Sequence, residues 1–197
     1  MKLNMNICVY GAASSLIDKS YIEEGKKLGR KIVERGHGLV FGGGSHGMMG
    51  AVADGAFEKS GYILGVIPEF FSEAGAEISC DNCTKYIYTE TMRERKRELE
   101  ENSNAFIVTP GGIGTLDEFF EILTLKQLGR HNKAIAIYNI NGFYDELDVM
   151  MDQSIKKEFI TDDCKELYKV FNDVEEMLNY IENYDEKDVD LNKVKIR

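Results

Sequence analysis

Short apolar runs alternate along this chain with longer segments in which apolar residues recur at helical spacing. The runs stop at glycine, proline or polar clusters, which is typical of buried strands. The longer segments carry charges between their apolar positions, which is typical of amphipathic helices. The predicted strands are 5–10, 39–41, 62–67, 85–88, 105–109, 133–140 and 167–171, and the predicted helices are 18–35, 51–59, 91–101, 116–128, one ending near 157, and 173–184.

Apolar strands that alternate with helices predict an α/β fold: a Rossmann-like, doubly wound parallel sheet with helices on both faces. Such sheets bind ligands at the carboxyl ends of their strands, near the point where the strand order switches. Three small-residue turns follow predicted strands, at 11–15, 42–47 and 110–115. We therefore expect the three turns to converge on one nucleotide-sized site.

The composition narrows the choice of partner and compartment. The chain has 197 residues and a formal net charge of −10, which argues against a nucleic-acid or membrane-surface partner. A small anionic molecule remains compatible if basic residues gather locally. No signal-peptide run or membrane-spanning apolar stretch is present, so we expect a cytoplasmic protein. Residues 1–184 are predicted to form one domain, and 185–197 a loose charged tail.

The central motif follows the predicted strand 105–109. Gly111, Gly112 and Gly114 allow a tight turn with exposed N–H groups. Together with the free amides of the next helix, these groups can hold a phosphate. That helix also carries two carboxylates, Glu118 and Glu121, one turn apart. Acids would repel a phosphate, so the pattern favours a pocket that holds phosphate at one end and performs acid or base chemistry at the other. The alternative is a capping box, Thr115-Leu-Asp-Glu118, in which Glu118 only caps its own helix.

A second glycine motif admits a different function. Gly42, Gly44 and Gly47 have the G-x-G-x-x-G spacing of a dinucleotide site, and Glu69 lies about where the ribose-binding acid of such a site belongs. This would indicate an NAD-dependent oxidoreductase. The motif follows the second predicted strand, however, whereas the dinucleotide fingerprint usually follows the first.

Three further features of the sequence each have a purely structural explanation beside a functional one. The helix at 91–101 is either a solvated face with ion pairs or, as the densest positive charge in the chain, the place where an anionic ligand binds. Cys80 and Cys83 have the spacing of half a zinc site or a redox pair, but no second pair completes a zinc site, so we expect two reduced cysteines in a loop. The three histidines are scattered and are expected at the surface.

Three motifs together resemble the LONELY GUY (LOG) family of cytokinin-activating phosphoribohydrolases, often mislabelled as lysine decarboxylases. They are Gly42-Gly-Gly-Ser-His-Gly-Met-Met-Gly50, Met92-Arg-Glu-Arg-Lys96 and Pro110-Gly-Gly-Ile-Gly-Thr-Leu-Asp-Glu118. The resemblance implies hydrolysis of the N-glycosidic bond of an N6-modified adenosine 5′-monophosphate to free base and ribose 5-phosphate. It also implies a homodimer or larger homo-oligomer, and no metal or organic cofactor.

The resemblance places Arg95 and Glu118 on the family's catalytic pair, and we add Glu121 as a residue that holds the ribose or water. The predicted nucleotide-binding residues are Ser14, Gly43, Gly44, Glu77, Met92, Arg95, Lys96, Gly111, Gly112, Ile113, Gly114, Thr115, Glu118 and Thr124. No metal ligands are predicted.

This chain departs from the family pattern at two places. Gly11-Ala-Ala-Ser14 stands where the family usually has Cys-Gly-Ser-Ser, and Leu125 stands where tryptophan is common. These departures leave the base open among a cytokinin, adenine and another purine. A second alternative is a non-catalytic purine nucleotide-binding or carrier protein on the same fold.

Overall fold

The computed structural model describes residues 5–73, 80–187 and 189. The strands in these ranges are β1 Asn6–Tyr10, β2 Gly38–Phe41, β3 Ile63–Pro68, β4 Lys85–Thr89, β5 Ala105–Val108, β6 Ala134–Tyr138 and β7 Lys169–Phe171. The α-helices are α1 Lys19–Glu34, α2 Gly47–Glu58, α3 Glu69–Glu73, α4 Met92–Glu101, α5 Ile113–Gln127, α6 Asp145–Lys156 and α7 Val174–Asn183, with short 3₁₀ turns at Ile140–Gly142 and Asp162–Leu167.

The strands form one parallel sheet in the order β4-β3-β2-β1-β5-β6-β7. The chain builds outward from β1 to β4, then returns to pair β5 with the free side of β1, where Ile7 lies opposite Ala105. This reversal makes the space between the ends of β1 and β5 the topological switch point of the sheet. The predicted Rossmann-like parallel sheet is confirmed.

Each face of the sheet has its own apolar layer, because successive side chains of a strand point to opposite faces. Ile7 and Val9 of β1 pack in one core cluster, which includes residues of α1, α2 and α7. Cys8 and Tyr10 pack in the other cluster, with residues of α4, α5 and α6. Burial of each large apolar side chain contributes about 1.5–3 kcal/mol, so both layers are needed to hold the sheet.

Helices α1 and α2 approach each other closely because both carry glycine on the shared face. A Cβ atom at Gly29 would lie 2.0 Å from the Val52 carbonyl oxygen, and one at Gly55 would lie 2.0 Å from that of Lys26. Larger residues would separate the helices. The small-residue composition of α2 is therefore a packing requirement of this face.

Two helices begin earlier than their apolar pattern predicted. Helix α5 starts at Ile113 rather than 116, and α2 starts at Gly47 rather than 51. In both cases the first turn contains glycine, which has no side chain to add to the periodic apolar pattern. The apolar periodicity therefore detected each of these helices only from its second turn onward.

The histidines do not all lie at the surface. His46 is exposed as expected, but His37 is buried, and its Nε2 lies 3.1 Å from Glu182 Oε1. The partly buried His131 places Nε2 2.9 Å from the Ile122 carbonyl, and its Nδ1 accepts from the Lys133 N–H at 3.2 Å. The partner of His37 comes from a distant chain segment and those of His131 from nearby residues, and composition alone could reveal neither.

The start of the predicted tail contacts the domain. Asn132 Nδ2 donates to the carbonyl of Glu186, and to that of Val189 at 3.3 Å. The rest of the predicted tail, apart from residues 185–187 and 189, lies outside the described residues. Across the part of the chain that is described, no helix has both the length and the apolar character needed to cross a membrane.

Candidate active site

A cleft of about 340 Å³ opens at the switch point, between the turns that follow β1 and β5. Its walls combine small residues, two methionines and an aromatic ring with a charged pair. The lining residues are Gly11, Ala12, Ala13, Ser14, Met49, Phe71, Met92, Arg95, Gly112, Gly114, Thr115, Asp117 and Glu118. This is the location that a parallel sheet offers to a ligand.

Main-chain hydrogen bonds tie the three turns together around this cleft. The Ala12 N–H donates to the Pro110 carbonyl at 3.1 Å, which joins the first turn to the third. The Met49 N–H donates to the Ala12 carbonyl at 3.2 Å, which joins the start of α2 to the first turn. The predicted convergence of the turns is therefore observed.

Arg95 lies on α4, is buried, and lines the wall of the cleft. Nε donates to the Val66 carbonyl at 3.2 Å, Nη1 to Glu118 Oε1 at 2.8 Å, and Nη2 to the Gly42 carbonyl at 3.5 Å. A Cβ atom at Gly42 would lie 2.0 Å from Nη2. Glycine at position 42 thus leaves room for this arginine, which explains the first residue of the glycine motif without a dinucleotide.

Glu118 projects from the second turn of α5 toward Arg95. Its carboxylate accepts the arginine hydrogen bond, and Gly112, the N-cap of α5, receives no side-chain cap. The capping alternative for Glu118 is therefore wrong, because α5 begins before Thr115. A capping interaction does exist one helix earlier, where Thr91 Oγ1 accepts from the Glu94 N–H at 3.2 Å.

Burial and charge act on Glu118 in opposite directions. Loss of solvent raises the pKa of Glu118, and the Arg95 guanidinium lowers it, with burial the larger effect. The net direction is upward. A carboxyl group in a cleft whose pKa is raised is a candidate for acid or base chemistry.

Lys96 forms a second, more exposed set of contacts beside this pair. Its Nζ lies 3.0 Å from Asp117 Oδ2 and also contacts Glu121 Oε2. Burial lowers the pKa of Lys96, but the hydrogen bonds that Lys96 donates to Glu121 and Asp117 outweigh burial and raise the pKa overall. Arg95 and Lys96, neighbours in sequence, thus each reach acids on α5.

The third turn presents the amino end of α5 to the cleft. Gly112 and Gly114 line it, and a Cβ atom at either position would meet no atom within 4 Å. Gly111 lies against Thr115, since a Cβ there would be 2.1 Å from Thr115 Oγ1. An uncapped helix start that faces a cleft is suited to bind an anion.

The remaining predicted site residues fall into three groups. Ser14 and Met92 line the cleft, whereas Gly43 and Gly44 are buried behind it. Ile113 is 88% exposed beside the turn, and Thr124 lines a separate apolar cleft between α5 and α6. Glu77 lies outside the described residues.

Sequence reasoning did not identify the apolar wall of the cleft. Met49 at the start of α2 and Phe71 in α3 both line it. Each lies next to a predicted feature, Met49 after the second glycine turn and Phe71 after the third strand. The available signals were the glycine turn before Met49 and the strand end shortly before Phe71.

The described residues contain no group of three or more histidine, cysteine, aspartate or glutamate side chains placed to hold a metal ion. The charged groups in the cleft are instead paired with each other, as Arg95 is with Glu118.

Comparison with known proteins places the chain among enzymes that act on nucleotides. A family model described as "possible lysine decarboxylase" matches residues 49–181. The cytokinin riboside 5′-monophosphate phosphoribohydrolase LOG2 of Arabidopsis thaliana is 34% identical over 178 residues, covering 90% of this chain and 83% of that protein. The phosphoribohydrolase LOG of Oryza sativa subsp. japonica is 35% identical over 178 residues, covering 90% of this chain and 73% of that protein.

A solved structure shares the fold at lower identity. The Moco carrier protein of Chlamydomonas reinhardtii superposes with a TM-score of 0.66 and 22% identity, covering 91% of this chain and 96% of that one. At this identity the likeness concerns the fold.

Proposed function

This chain belongs to the LOG family of phosphoribohydrolases, and we propose that it hydrolyses the N-glycosidic bond of a purine nucleoside 5′-monophosphate. The products are the free base, a cytokinin or adenine, and ribose 5-phosphate. The buried ion pair between Arg95 and Glu118 carries this proposal, because it places a carboxylate in a cleft whose other end is an anion-binding helix start.

The carboxylate supplies the main chemical step. As the bond between the base and C1′ of the ribose lengthens, positive charge develops on the sugar, and a nearby carboxylate stabilises it. Arg95 already occupies Glu118 Oε1, so Oε2 is the oxygen assigned to the sugar or to the attacking water. Water adds its oxygen to C1′, and its two protons end on the departing base and on the ribose hydroxyl, with Glu118 as the relay.

Arg95 positions the carboxylate. Its three donors reach three different chain segments, so the guanidinium is locked between β3, the second glycine turn and α5. A locked cation orients Glu118 without reorganisation during the reaction, which is the condition for electrostatic catalysis. Exclusion of water from this pair strengthens the effect.

The third glycine turn binds the 5′-phosphate. The N–H groups at the start of α5 point along the helix dipole, which favours an anion at that end. Ser14 lies in the same cleft and offers a hydroxyl. This division explains how a phosphate site and an acid share one helix: the phosphate lies at the first turn and Glu118 lies in the second.

For Glu121 we propose an indirect role, in which its contact with Lys96 helps to hold the ribose or water. Its carboxylate contacts Lys96 and lines a small recess with Glu118 rather than the main cleft. Glu121→Gln should therefore lower turnover by about tenfold, well short of the loss expected for a group that contacts the reacting atoms.

The direct test is release of ribose 5-phosphate from AMP and from isopentenyladenosine monophosphate. The wild type should release it, and Arg95→Ala and Glu118→Gln should each abolish release. The ratio of rates on the two substrates identifies the preferred base. Ribosides that lack the 5′-phosphate should react at least about a hundredfold more slowly, since the helix-end contact is lost.

A carrier is the alternative outcome of this experiment. If AMP binds but neither nucleotide is cleaved by wild type, the chain holds a nucleotide without hydrolysing it. NAD binding with no AMP binding would instead support the oxidoreductase interpretation of the second glycine motif.

We also propose a cytoplasmic homodimer or larger homo-oligomer without a nucleic-acid partner. The net charge of −10 disfavours nucleic acid, and the apolar side chains Met150 and Phe159, 48% and 81% exposed beside the cleft of Thr124, offer a surface for a second copy. Light scattering after size-exclusion chromatography measures the assembly.

A further inference from the structure

Cys80 and Cys83 form a compact pair rather than two unrelated loop cysteines. The Cys83 N–H donates to the Cys80 carbonyl at 3.4 Å, which closes a turn between them. A four-residue turn brings its end Cα atoms within about 7 Å, and disulfides need about 4.4–6.8 Å.

Cys80 and Cys83 are held against the second glycine turn, at 42–47. The Cys80 N–H donates to the Gly43 carbonyl at 3.0 Å, and the Tyr86 hydroxyl donates to the Cys80 carbonyl. The thiol of Cys83 lies near Gly65, where a Cβ atom would be 3.1 Å from its Sγ. Cys80 is buried, whereas Cys83 is partly exposed and gives solvent access to the pair.

We propose that Cys80 and Cys83 are a redox site, a dithiol that a small-molecule disulfide such as oxidised glutathione converts reversibly to an intramolecular disulfide. Both cysteines are free in the structure, as expected for two reduced cysteines in a loop. Hydrogen bonding from Cys83 lowers the pKa of the Cys80 thiol to about 7, so a thiolate is present at neutral pH.

The reaction balances without a further component. One sulfur of the pair attacks the small disulfide, which forms a mixed disulfide and releases the first small thiol. The other cysteine sulfur then attacks the mixed disulfide and releases the second small thiol. Two electrons pass from the cysteines to the small disulfide, and the two thiol protons leave on the released thiols.

The site is connected to the cleft by three residues. Gly43 accepts from the Cys80 N–H, and the preceding residue, Gly42, accepts from Arg95 Nη2. A change of the turn on oxidation therefore reaches the loop that holds the arginine. The redox proposal itself does not depend on the proposed hydrolysis.

Mass spectrometry can test the proposal directly. Trypsin releases both cysteines on one peptide, 60–85, whereas Cys8 and Cys164 fall on separate peptides. The folded protein is equilibrated with reduced and oxidised glutathione, quenched in acid, denatured and alkylated. Peptide 60–85 should lose both alkylation sites together and become lighter by two hydrogens, while the Cys8 and Cys164 peptides stay alkylated.

Variants and an arsenical distinguish a dithiol from two separate thiols. Cys80→Ser or Cys83→Ser should leave a glutathione adduct on the remaining cysteine, and Cys164→Ser should behave as wild type. Phenylarsine oxide, which bridges two thiols with loss of water, should lower alkylation of both cysteines on wild-type peptide 60–85 by at least about tenfold. This measurement needs no variant to fold.

Two results would overturn the redox site. One is a peptide 60–85 that stays doubly alkylated at the most oxidising glutathione ratio and after the arsenical. The other is glutathione on both cysteines at once with no internal disulfide. Either result means that the two sulfurs act independently.

Discussion

The two ends of helix α5 each bury a charged side chain, but they treat the charge differently. Near the amino end, Glu118 meets the guanidinium of Arg95 at 2.8 Å and faces the cleft. In the last turn, the fully buried Lys126 donates to two neutral oxygens, the Lys133 carbonyl at 2.9 Å and the Tyr184 hydroxyl at 2.8 Å.

Burial acts against the charge at both ends. It raises the pKa of Glu118, where Arg95 opposes the rise, and it lowers the pKa of Lys126 to about 7. Lys126 lies beside the start of β6, at the amino ends of the strands, whereas the cleft lies at their carboxyl ends. We therefore assign Glu118 to catalysis and Lys126 to the stability of the domain, an assignment that the following changes can break or sharpen.

The largest effect is expected for Glu118→Gln. The neutral amide cannot stabilise positive charge on the sugar, so kcat should fall by about a thousandfold or more while AMP binding changes little. Product release assays and calorimetric titration with AMP measure the two quantities. Glu146→Gln, at an exposed glutamate of α6 that does not line the cleft, is the matched control and should keep turnover within about twofold of wild type. Turnover of Glu118→Gln within tenfold of wild type would contradict the assignment.

Arg95→Met should destabilise the fold by about 3–5 kcal/mol, because it leaves the buried Glu118 carboxylate unpaired. The double variant Arg95→Met with Glu118→Gln should recover much of this loss. Urea unfolding of the two single variants and the double variant measures the coupling. Lys96→Met, at the more exposed neighbouring cation, should cost less than about 1 kcal/mol. A double variant no more stable than Arg95→Met would show that the charge pair is not the cause.

Lys126→Met should abolish a pH dependence of stability while turnover is kept. The pKa of Lys126 is about 7 when folded and 10.5 when free, so between these values the unfolded chain binds the extra proton. Stability therefore rises with pH across that window, by at most about 1.4 kcal/mol per unit for one proton. Urea unfolding at pH 7, 8 and 9 measures the rise.

The control for this change is Lys156→Met at an exposed lysine, which should retain the wild-type rise. If the stability of Lys126→Met still rises with pH as in the wild type, the rise comes from other titratable groups. A loss of turnover in Lys126→Met with an intact fold would break the division between the two ends of α5.

His131, just beyond the carboxyl end of α5, should produce the smallest effect. The neutral ring donates from Nε2 to Ile122 and accepts at Nδ1 from Lys133, and burial lowers its pKa from 6.5 to about 4. The unfolded chain takes up a proton first, so stability falls as pH drops from 6.5 to 4, by up to about 3 kcal/mol. His131→Gln should flatten this loss in urea unfolding.

The exposed His46→Gln should leave the acid loss unchanged. If both histidine variants lose stability in acid as the wild type does, carboxyl groups elsewhere dominate that range. His131 would then contribute no more to the pH dependence of stability than a surface histidine, although its ring has two hydrogen-bond partners.

Much of the fold followed from local pattern. Strands such as 105–109 are continuous apolar runs, and helices such as 18–35 repeat their apolar residues at 3.6-residue spacing, so both are visible within one window of sequence. The parallel sheet then follows from their alternation. Helix starts at Gly47 and Ile113 were placed too late, since glycine adds nothing to an apolar pattern.

The cleft was predicted less completely. The three turns were expected to meet because each follows a strand, and motif resemblance singled out Arg95 and Glu118. The wall formed by Met49 and Phe71 was missed, since methionine and phenylalanine after a strand look like core residues. The cysteines were correctly expected to be reduced, but their spacing shows neither the burial of Cys80 nor the turn that closes between Cys80 and Cys83.

The sequence by itself determined the order of elements, the parallel sheet and the glycine turns, because these depend on residues close together in the chain. Only the tertiary structure decided whether Glu118 caps its helix or meets Arg95, 23 residues away on another helix. It also decided that Lys126 is buried at the other end. The physical reason is that a charge acquires its pKa and its role from partners and solvent access, which arise only when distant segments pack together.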